Sequence, residues 1–451
     1  MEHLRELAKF ISELDLASVP SDVVQTARRC VLDTVAAAMG AVNHTQLCNV
    51  QNAMEAIYGT GKGGTVWGRG TRLPYTIAAF LNGMAGHVVE MDDVHTRSKT
   101  HIGTVVVPAA WAAAEENNST GKEFLEAVIC GYEVTARIGI GFGVTSHRNL
   151  GWHSTSTAGV FGAAAACAKL MKLNEEQIVS ALGLAGTQAF GTWAFLGDGA
   201  SNKVLHPARA AFSGYDAALL ARAGMTGPEH ILSASDGGLY PAMSDEYNYD
   251  AVTRGLGSHW EITQMTIKPY PCCRSTHCAI DGALALRKAK GFVLSEIETI
   301  LVETYLVGYK QCGLSEGSIN PAKAIEAKFS IPYTVSCALL RGNVRLEDFE
   351  ESSIQEDTVQ QLLKRVHVKP CETFSKVYPD HWGCTVHLVK KDGSIMSSTV
   401  TDACGSVDNP ITEEQLTQKV ESLLSFYESQ RVEEVIKKII TVDSLPCMPL
   451  L

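Results

Sequence analysis

Apolar residues recur at helical spacing through the first half of the chain. After Pro20 and Ser21 the positions Val24, Ala27, Val31, Val35 and Met39 share one face, and Gly40 stands where a C-terminal cap is expected. The opening residues MEHLRELAKFISEL read as an acidic amphipathic helix. Asn174 with Gln177 makes a capping box before Ile178, Leu182 and Leu184, and a small-residue helix is predicted from Pro207 to Ala223 with Gly224 as its stop. The runs AAWAAAEE, STAGVFGAAAACAKL and ARAAFSGYDAALLARAG carry little side-chain bulk, so helices built from them can pack at close range. Residues 1–260 therefore read as a tightly packed helical domain.

Near residue 260 the period changes from helical to alternating. In WEITQMTIKPY, Ile262, Gln264, Thr266 and Lys268 fall on one side and Met265 and Ile267 on the other, which predicts a strand. Ile300, Val302, Thr304 and Leu306 alternate with Leu301, Glu303 and Tyr305 in a second, and CTVHLVKKDGSIMSSTV places Asp392-Gly393 between two β-prone runs as a hairpin turn. Helical stretches, His277 to Lys290 and Pro332 to Leu340, lie between them. Residues 261–403 thus read as a smaller α+β domain inserted into the helical one. The helical domain returns over 404–451, where Thr412 and Gln415 form a capping box before Leu416, Val420, Leu423 and Leu424. The fold class expected is mainly α, with a discontinuous all-helical domain and a smaller α+β one.

Composition narrows the function classes. A chain of 451 residues is long enough for two domains, and 45% hydrophobic with 19% charged residues is ordinary globular composition. The net charge of -11, without Lys/Arg runs, argues against nucleic acid, whose phosphates need a basic face. The most apolar run, Val105 to Ala114, is about half of the roughly 20 residues that a membrane span needs, and Pro108 interrupts it. The start lacks the features of a signal peptide, and thirteen cysteines, an odd number, favour reduced thiols over a disulfide framework. A soluble cytoplasmic protein with no membrane partner is expected, with Cys30, Cys130, Cys167 and Cys337 as core thiols.

Four polar clusters interrupt the apolar sequence. GHVVEMDDVHTRSKTHIGTVVVPAA packs Asp92, Asp93, His95, Thr96 and His101 into ten residues, where carboxylates beside histidines can tune one another for acid/base work; a solvated loop with capping aspartates is the plainer alternative. GWHSTSTAG sets His153 just before a helix N-terminus, a place that favours an anion, or else merely caps a helix beside a surface histidine. GDGASNKVLHPARAAFSG carries Lys203 and His206 three residues apart; Lys203 suits a carboxylate, although a solvated lysine reads equally well. KPYPCCRSTHCAID holds three cysteines and a histidine within seven residues, but adjacent cysteines point apart and lack the separated pairs of a zinc site. A Cys-His nucleophile there needs partners that only the fold can place. GTGKGGT does not follow the P-loop order, and Gly139, Gly141 and Gly143 alternate in a helical context, so nucleotide cofactors are unsupported.

Taken in order, GHVVEMDD with His101, GWHSTSTAG, NKVLHPARAA, KPYPCCRSTHCAID and KFSIPYTVSCAL resemble the MmgE/PrpD family over nearly the whole chain. That family includes 2-methylcitrate dehydratase, cis-aconitate decarboxylase and iminodisuccinate epimerase. The resemblance implies a cofactor-independent, metal-free homodimer whose α+β domain is a lid over the active site, and a small polycarboxylate substrate. It places Asp93, Thr96, His101, His153, Lys203, Lys268 and Tyr333 at the site. In the reading that follows, Lys203, Lys268, Arg274 or His206 bind carboxylates, with Thr96 among the binding residues. His153 or His101 takes the α-proton, Asp93 orients a histidine, and Tyr333 or His277 supplies a proton. The first loop reads Met91-Asp92-Asp93-Val94-His95-Thr96 instead of the family's Phe-Asp-Asp-Thr-like core, which leaves His95 and Thr96 as alternatives for one position. Decarboxylase-like members carry a histidine two residues after the proline of the lid segment, where this chain has Cys273. The expectation is a lyase or isomerase most like a 2-methylcitrate-type dehydratase, with epimerisation, decarboxylation or a non-catalytic anion-binding role as alternatives.

Overall fold

The computed structural model describes residues 3–197 and 199–451, and its apolar side chains gather into two cores. The larger runs from Leu4 to Ile267 and resumes from Ile411 to Leu451; the smaller lies wholly between Tyr270 and Ala403. The chain is mainly α, with strands concentrated in the smaller core.

The principal helices of the larger core are α1 (His3–Glu13), α2 (Ser21–Gly40), α3 (Tyr75–Val88), α4 (Gly103–Glu116), α5 (Gly121–Gly141), α6 (Gly159–Leu170), α7 (Glu175–Thr187) and α8 (Leu205–Arg222). From Ile77 to Val88 every residue of α3 is buried, as a helix at the centre of a bundle requires. Small residues set the spacing. A Cβ on Gly162 of α6 would lie 1.8 Å from Thr135 Oγ1 and 2.4 Å from the Gly131 carbonyl of α5, so only glycine lets these two helices cross so closely. The capping boxes expected at Asn174–Gln177 and Thr412–Gln415 both form. No helix among the described residues is long and apolar enough to cross a membrane, and no disulfide joins the thirteen cysteines.

The smaller core is built on a four-stranded sheet of β1 (Ile297–Thr304), β2 (Val366–Pro370), β3 (Cys384–Lys390) and β4 (Ile395–Val400), in the order β2-β1-β3-β4. β1 pairs parallel to β2 and antiparallel to β3, with Ile300 opposite Val366 and Leu388. Its buried face carries Ile297, Ile300 and Val302 beside Val386 and Leu388, and α9 (His277–Lys288) and α10 (Ile331–Arg341) cover it. Asp392 and Gly393 make the β3–β4 turn, with Gly393 at φ 84° and the Asp392 carboxylate accepting from Ser394 N at 2.9 Å.

Three local expectations need correction. The strand expected over WEITQMTIKPY is a 3-10 turn at Glu261–Gln264 followed by two strand residues, Met265–Thr266, paired with Val94–His95. A buried partner outweighs the alternation: Glu133 Oε1 accepts the Ile262 N–H at 2.9 Å and pins that backbone in a turn. The helical half also contains a short hairpin, Gly64–Val66 with Thr71–Leu73. Gly40 is the last helical residue of α2, where a Cβ would stand 3.0 Å from the Leu423 carbonyl, so its smallness serves a crossing and not a cap.

That crossing belongs to α11 (Glu413–Leu423), which with α12 (Ser429–Ile440) packs on α2. From α11, Lys419 reaches the buried Asp33 of α2 and donates to the Met91 carbonyl at 2.6 Å. Removing the ammonium with Lys419→Met leaves Asp33 buried without its counter-charge, so the variant is expected to lose about 3–5 kcal/mol at neutral pH. The loss should shrink under acid, where Asp33 is neutral. Urea denaturation of the two proteins at both pH values checks this, and an unchanged midpoint at neutral pH would refute it.

Candidate active site

The site forms where the two cores meet, from three segments of the helical domain and one at the base of the lid. The last turn of α3 presents His87, and the chain then turns sharply through Glu90, which adopts a left-handed conformation at φ 59°. Such a φ is uncommon away from glycine and is held only where the surroundings over-determine it. Here both carboxylate oxygens of Glu90 are engaged. Oε1 meets Lys203 Nζ in a close ion pair, and Oε2 lies 3.7 Å from Lys268 Nζ. Asp92 Oδ2 accepts from His87 Nδ1 at 2.6 Å and faces His101 Nδ1 at 3.0 Å, while Oδ1 stands 3.5 Å from Lys268. Glu90, Asp92, Lys203 and Lys268 are all buried.

Burial alone would raise both carboxylates. Lys203, His87 and Lys268 outweigh it for Glu90, and His87, His101 and Lys268 for Asp92, so each is held well below the ordinary carboxylate range. Burial acts the other way on Lys268, yet Asp92 and Glu90 keep its ammonium firmly charged.

His101, His153 and His206 are neutral at pH 7. Burial, offset in part by Asp92, lowers His101 to about 4. His153 is lowered by burial and then by His206 and Lys203, and His206 falls to about 4 through burial and its cationic neighbours. His153 Nδ1 and His206 Nδ1 share one hydrogen bond at 2.7 Å, so one ring donates and the other accepts. With His153 as donor, its Nε2 offers a lone pair to the cavity. Trp193 packs on the His153 ring with centroids 4.7 Å apart and fixes its plane.

The cavity between these groups is lined by Glu90, Lys99, His101, Arg148, His153, Lys203, Cys273 and Arg274, with Trp193, Phe329 and Trp382 as apolar walls. Four of these are basic side chains and one is a carboxylate. Larger grooves open elsewhere, one of about 630 Å³ beside Tyr270, Lys288 and Lys419, but it contains no histidine, and chemistry decides for the smaller space. The space open to water in the site is about 50 Å³, room for a few waters at roughly 10–15 Å³ each. His87, Asp92 and His101 bring ligand atoms within 4.8 Å of one another, a geometry that could grip a cation. Lys268 already neutralises Asp92 from 3.5 Å and would repel a second positive charge.

Residues 5–251 match the MmgE/PrpD N-terminal domain and residues 270–444 the MmgE/PrpD C-terminal domain. The chain belongs to the MmgE/PrpD family. It is 28% identical to a cis-aconitate decarboxylase-like protein of Aspergillus oryzae, over 97% of this chain and 94% of that one. It is 26% identical to the cis-aconitate decarboxylase of Homo sapiens, over 97% and 91%. The mitochondrial 2-methylcitrate dehydratase of Yarrowia lipolytica is 21% identical over 87% of this chain and 78% of its own.

Of the residues singled out from sequence in this MmgE/PrpD chain, the structure brings His101, His153, Lys203 and Arg274 to the cavity wall, with His206 and Lys268 directly behind it. Others stand apart. Thr96 Oγ1 bonds Thr266 Oγ1 at 3.1 Å beside the two-residue pairing of Val94–His95 with Met265–Thr266, and His95 faces Glu261 at 3.3 Å. Asp93 orients no histidine: it accepts from Tyr132 at 2.7 Å and from Gly103 N at 2.9 Å, and the histidine-orienting carboxylate is Asp92. His277 packs against Tyr270 and contacts the Cys272 carbonyl at 3.2 Å, while the Tyr333 hydroxyl donates to the Asp348 carbonyl inside the lid core. Neither lines the cavity, because a backbone carbonyl captures each side chain. Sequence reasoning missed His87, Glu90, Lys99 and Arg148. His87 and Glu90 read as the end of an apolar helix, and no local spacing marks the other two.

Burial and the nearby Asp33 push Asp93 up to about 7, against the pull of Tyr132 and Gly103. The folded protein then holds a proton that the unfolded chain releases near 3.8. This contribution to stability is complete below that value and is lost as pH rises through about 7. Asp93→Asn preserves the shape without the titration. Relative to the parent it should gain stability steadily between pH 4 and 8, as read by denaturation midpoints; a pH-independent difference would show that Asp93 does not titrate there.

Proposed function

We propose that this protein is a cofactor-independent lyase that moves an α-proton on a small di- or tricarboxylate, most like a 2-methylcitrate-type dehydratase. One observation carries the reading: a buried cavity whose wall holds Lys99, Arg148, Lys203 and Arg274 against Glu90 alone, beside the neutral imidazoles of His101 and His153. Excess cations recognise a multiply charged anion, and a neutral imidazole next to them is a base.

In this reading the cations hold the substrate carboxylates and stabilise the charge that develops when a proton leaves the adjacent carbon. His153 Nε2 takes that proton, with His206 holding the ring in the required tautomer. The β-hydroxyl leaves as water once it is protonated. With His277 and Tyr333 in the lid, the acid on that side is the Cys273 thiol. Burial raises this thiol, but hydrogen bonds with Cys312 and the Ser275 backbone outweigh it and bring it to about 7. The C–H and C–O bonds break, a C=C bond forms, and water is released. A cavity with so little free space also requires the lid to open for a six-carbon acid to enter.

Decarboxylation of cis-aconitate is the second reading, favoured because decarboxylases are among the relatives at 26–28% identity whereas the dehydratase stands at 21%. It needs an acid to protonate the product carbon and no base. Incubation with 2-methylcitrate, citrate, cis-aconitate and iminodisuccinate in deuterated buffer separates the readings. Dehydration gives an unsaturated acid, epimerisation gives deuterium uptake without loss of water, and decarboxylation gives carbon dioxide. Binding without turnover or deuterium uptake would overturn the enzyme reading. His153→Ala and Lys203→Ala should each slow turnover by about 10²–10⁴-fold while the far-ultraviolet dichroism is unchanged. Near-normal rates would remove these residues from the mechanism.

A further inference from the structure

One corner of the cavity is not needed to bind or deprotonate at Lys203 and His153, and its chemistry is unbalanced. Lys99 lies over the ring of Tyr378 at 4.6 Å, and the Arg148 guanidinium lies over Trp193 at 4.3 Å. Lys99 Nζ, Arg148 Nε, Trp193 Nε1 and Tyr378 Oη are all buried without a hydrogen-bond partner. All four are donors. Lys99, Arg148 and Trp193 line the cavity and Tyr378 stands against Lys99; buried polar groups in folded proteins are nearly always paired, so unpaired donors gathered there point to an acceptor that arrives with a ligand.

Charge gives the same sign. Lys203 and Lys268 are balanced by Glu90 and Asp92, whereas neither Lys99 nor Arg148 forms an ion pair with any described carboxylate. Burial and Arg148 lower Lys99 to about 7, and burial lowers Arg148 as well. The backbone is also held against preference, with Lys99 at φ 54° in a tight loop closed by the His95 N–H to the Thr100 carbonyl at 2.8 Å. Of the four non-glycine residues at positive φ among the described residues, Glu90 and Lys99 are the two that line this cavity. Strain at a cavity wall, with uncompensated charge beside it, is the signature of a position kept for binding.

We infer that Lys99 and Arg148, walled by Trp193 and Tyr378, form a second carboxylate subsite that selects a tricarboxylate over a dicarboxylate. The inference rests on the reading of the cavity as a polycarboxylate site and adds to it the number of carboxylates. Lys203 and Arg274 at the wall, with the charge of Lys268 behind them, take the carboxylates next to the reacting carbon, and the second corner takes the remaining one. The aromatic faces strip water from that carboxylate, which strengthens its charge-assisted bonds.

Isothermal titration of the full-length protein with tricarballylate, an unreactive tricarboxylate, and glutarate, an unreactive dicarboxylate, tests this. The parent is expected to bind tricarballylate at least about tenfold more tightly. Lys99→Met and Arg148→Gln should each weaken tricarballylate about tenfold or more and leave glutarate within about twofold, while Arg148→Lys should recover part of the loss. Lys203→Ala should weaken both ligands. Equal affinities in the parent, or a preference that survives both Lys99→Met and Arg148→Gln, would overturn the subsite and leave the polycarboxylate reading standing. No binding of either ligand to the parent would instead overturn that reading. If Lys99→Met fails to fold, as seen by near-ultraviolet dichroism, the comparison of Arg148→Gln with Arg148→Lys decides alone.

Discussion

Two carboxylates that cannot be buried alone organise this molecule. An isolated ionised carboxylate in a protein interior costs several kcal/mol even after relaxation, and removing one partner of a buried pair typically costs about 3–5 kcal/mol. Glu90 and Asp92 are both buried, so Lys203 must come from the segment before α8 and Lys268 from the base of the lid. The compensation is therefore also a tether. It fixes the loop after α3, the start of α8 and the entrance to the α+β domain relative to one another, and the cavity forms where these three meet. His87 and His101 share Asp92 and so are oriented by the same constraint. Lys419 adds a fourth segment by holding the Met91 carbonyl from α11.

This arrangement resolves the conflict between an acidic protein and the anionic ligand proposed for it. A net charge of -11 repels anions at long range, but Debye screening limits that effect to about 8 Å at physiological salt, whereas charges in a buried cavity act through a lower dielectric. What a ligand meets after entry is the local balance of four cations against one carboxylate. Lys268 is held charged by Asp92 and Glu90, and His101 and His153 do not respond to bulk pH near 7 because burial has already made them neutral. Base and electrostatic clamp thus coexist a few residues apart without neutralising one another.

Much of the fold was legible because its signals are local. The capping boxes at Asn174 and Thr412, the Asp392-Gly393 turn and the alternation from Ile300 to Thr304 act over a few residues, and the Ala/Gly runs announce close helix crossings. Where a distant residue intervenes, the local pattern loses. Glu133 captures Ile262 N and turns an alternating segment into a 3-10 helix; Leu423 explains Gly40 better than capping does. The site followed the same division. His101, His153 and Lys203 stood out as polar residues in apolar sequence, whereas Tyr333 and His277 stood in recognisable motifs but were claimed by backbone carbonyls inside the lid. Lys99 and Arg148 look like loop cations until Trp193, Tyr378 and Trp382, from segments far away in the chain, enclose them.

The same non-local enclosure bears on how the site works. Lys203 and Lys268 have their charge balanced by Glu90 and Asp92 without a ligand; Lys99, Arg148 and Arg274 have no such carboxylate among the described residues, and each buries donors that lack a hydrogen-bond partner. In the proposed function, closure of the α+β domain without an anion is opposed by desolvation of those donors, and closure over an anion gives them charge-assisted bonds. A ligand that fills both cationic corners favours the closed form more than one that fills a single corner. In the proposed reaction, binding energy from a carboxylate remote from the reacting carbon serves to assemble the catalytic groups, since Cys273 and Arg274 reach the cavity from the α+β side while His153 and Lys203 reach it from the helical side.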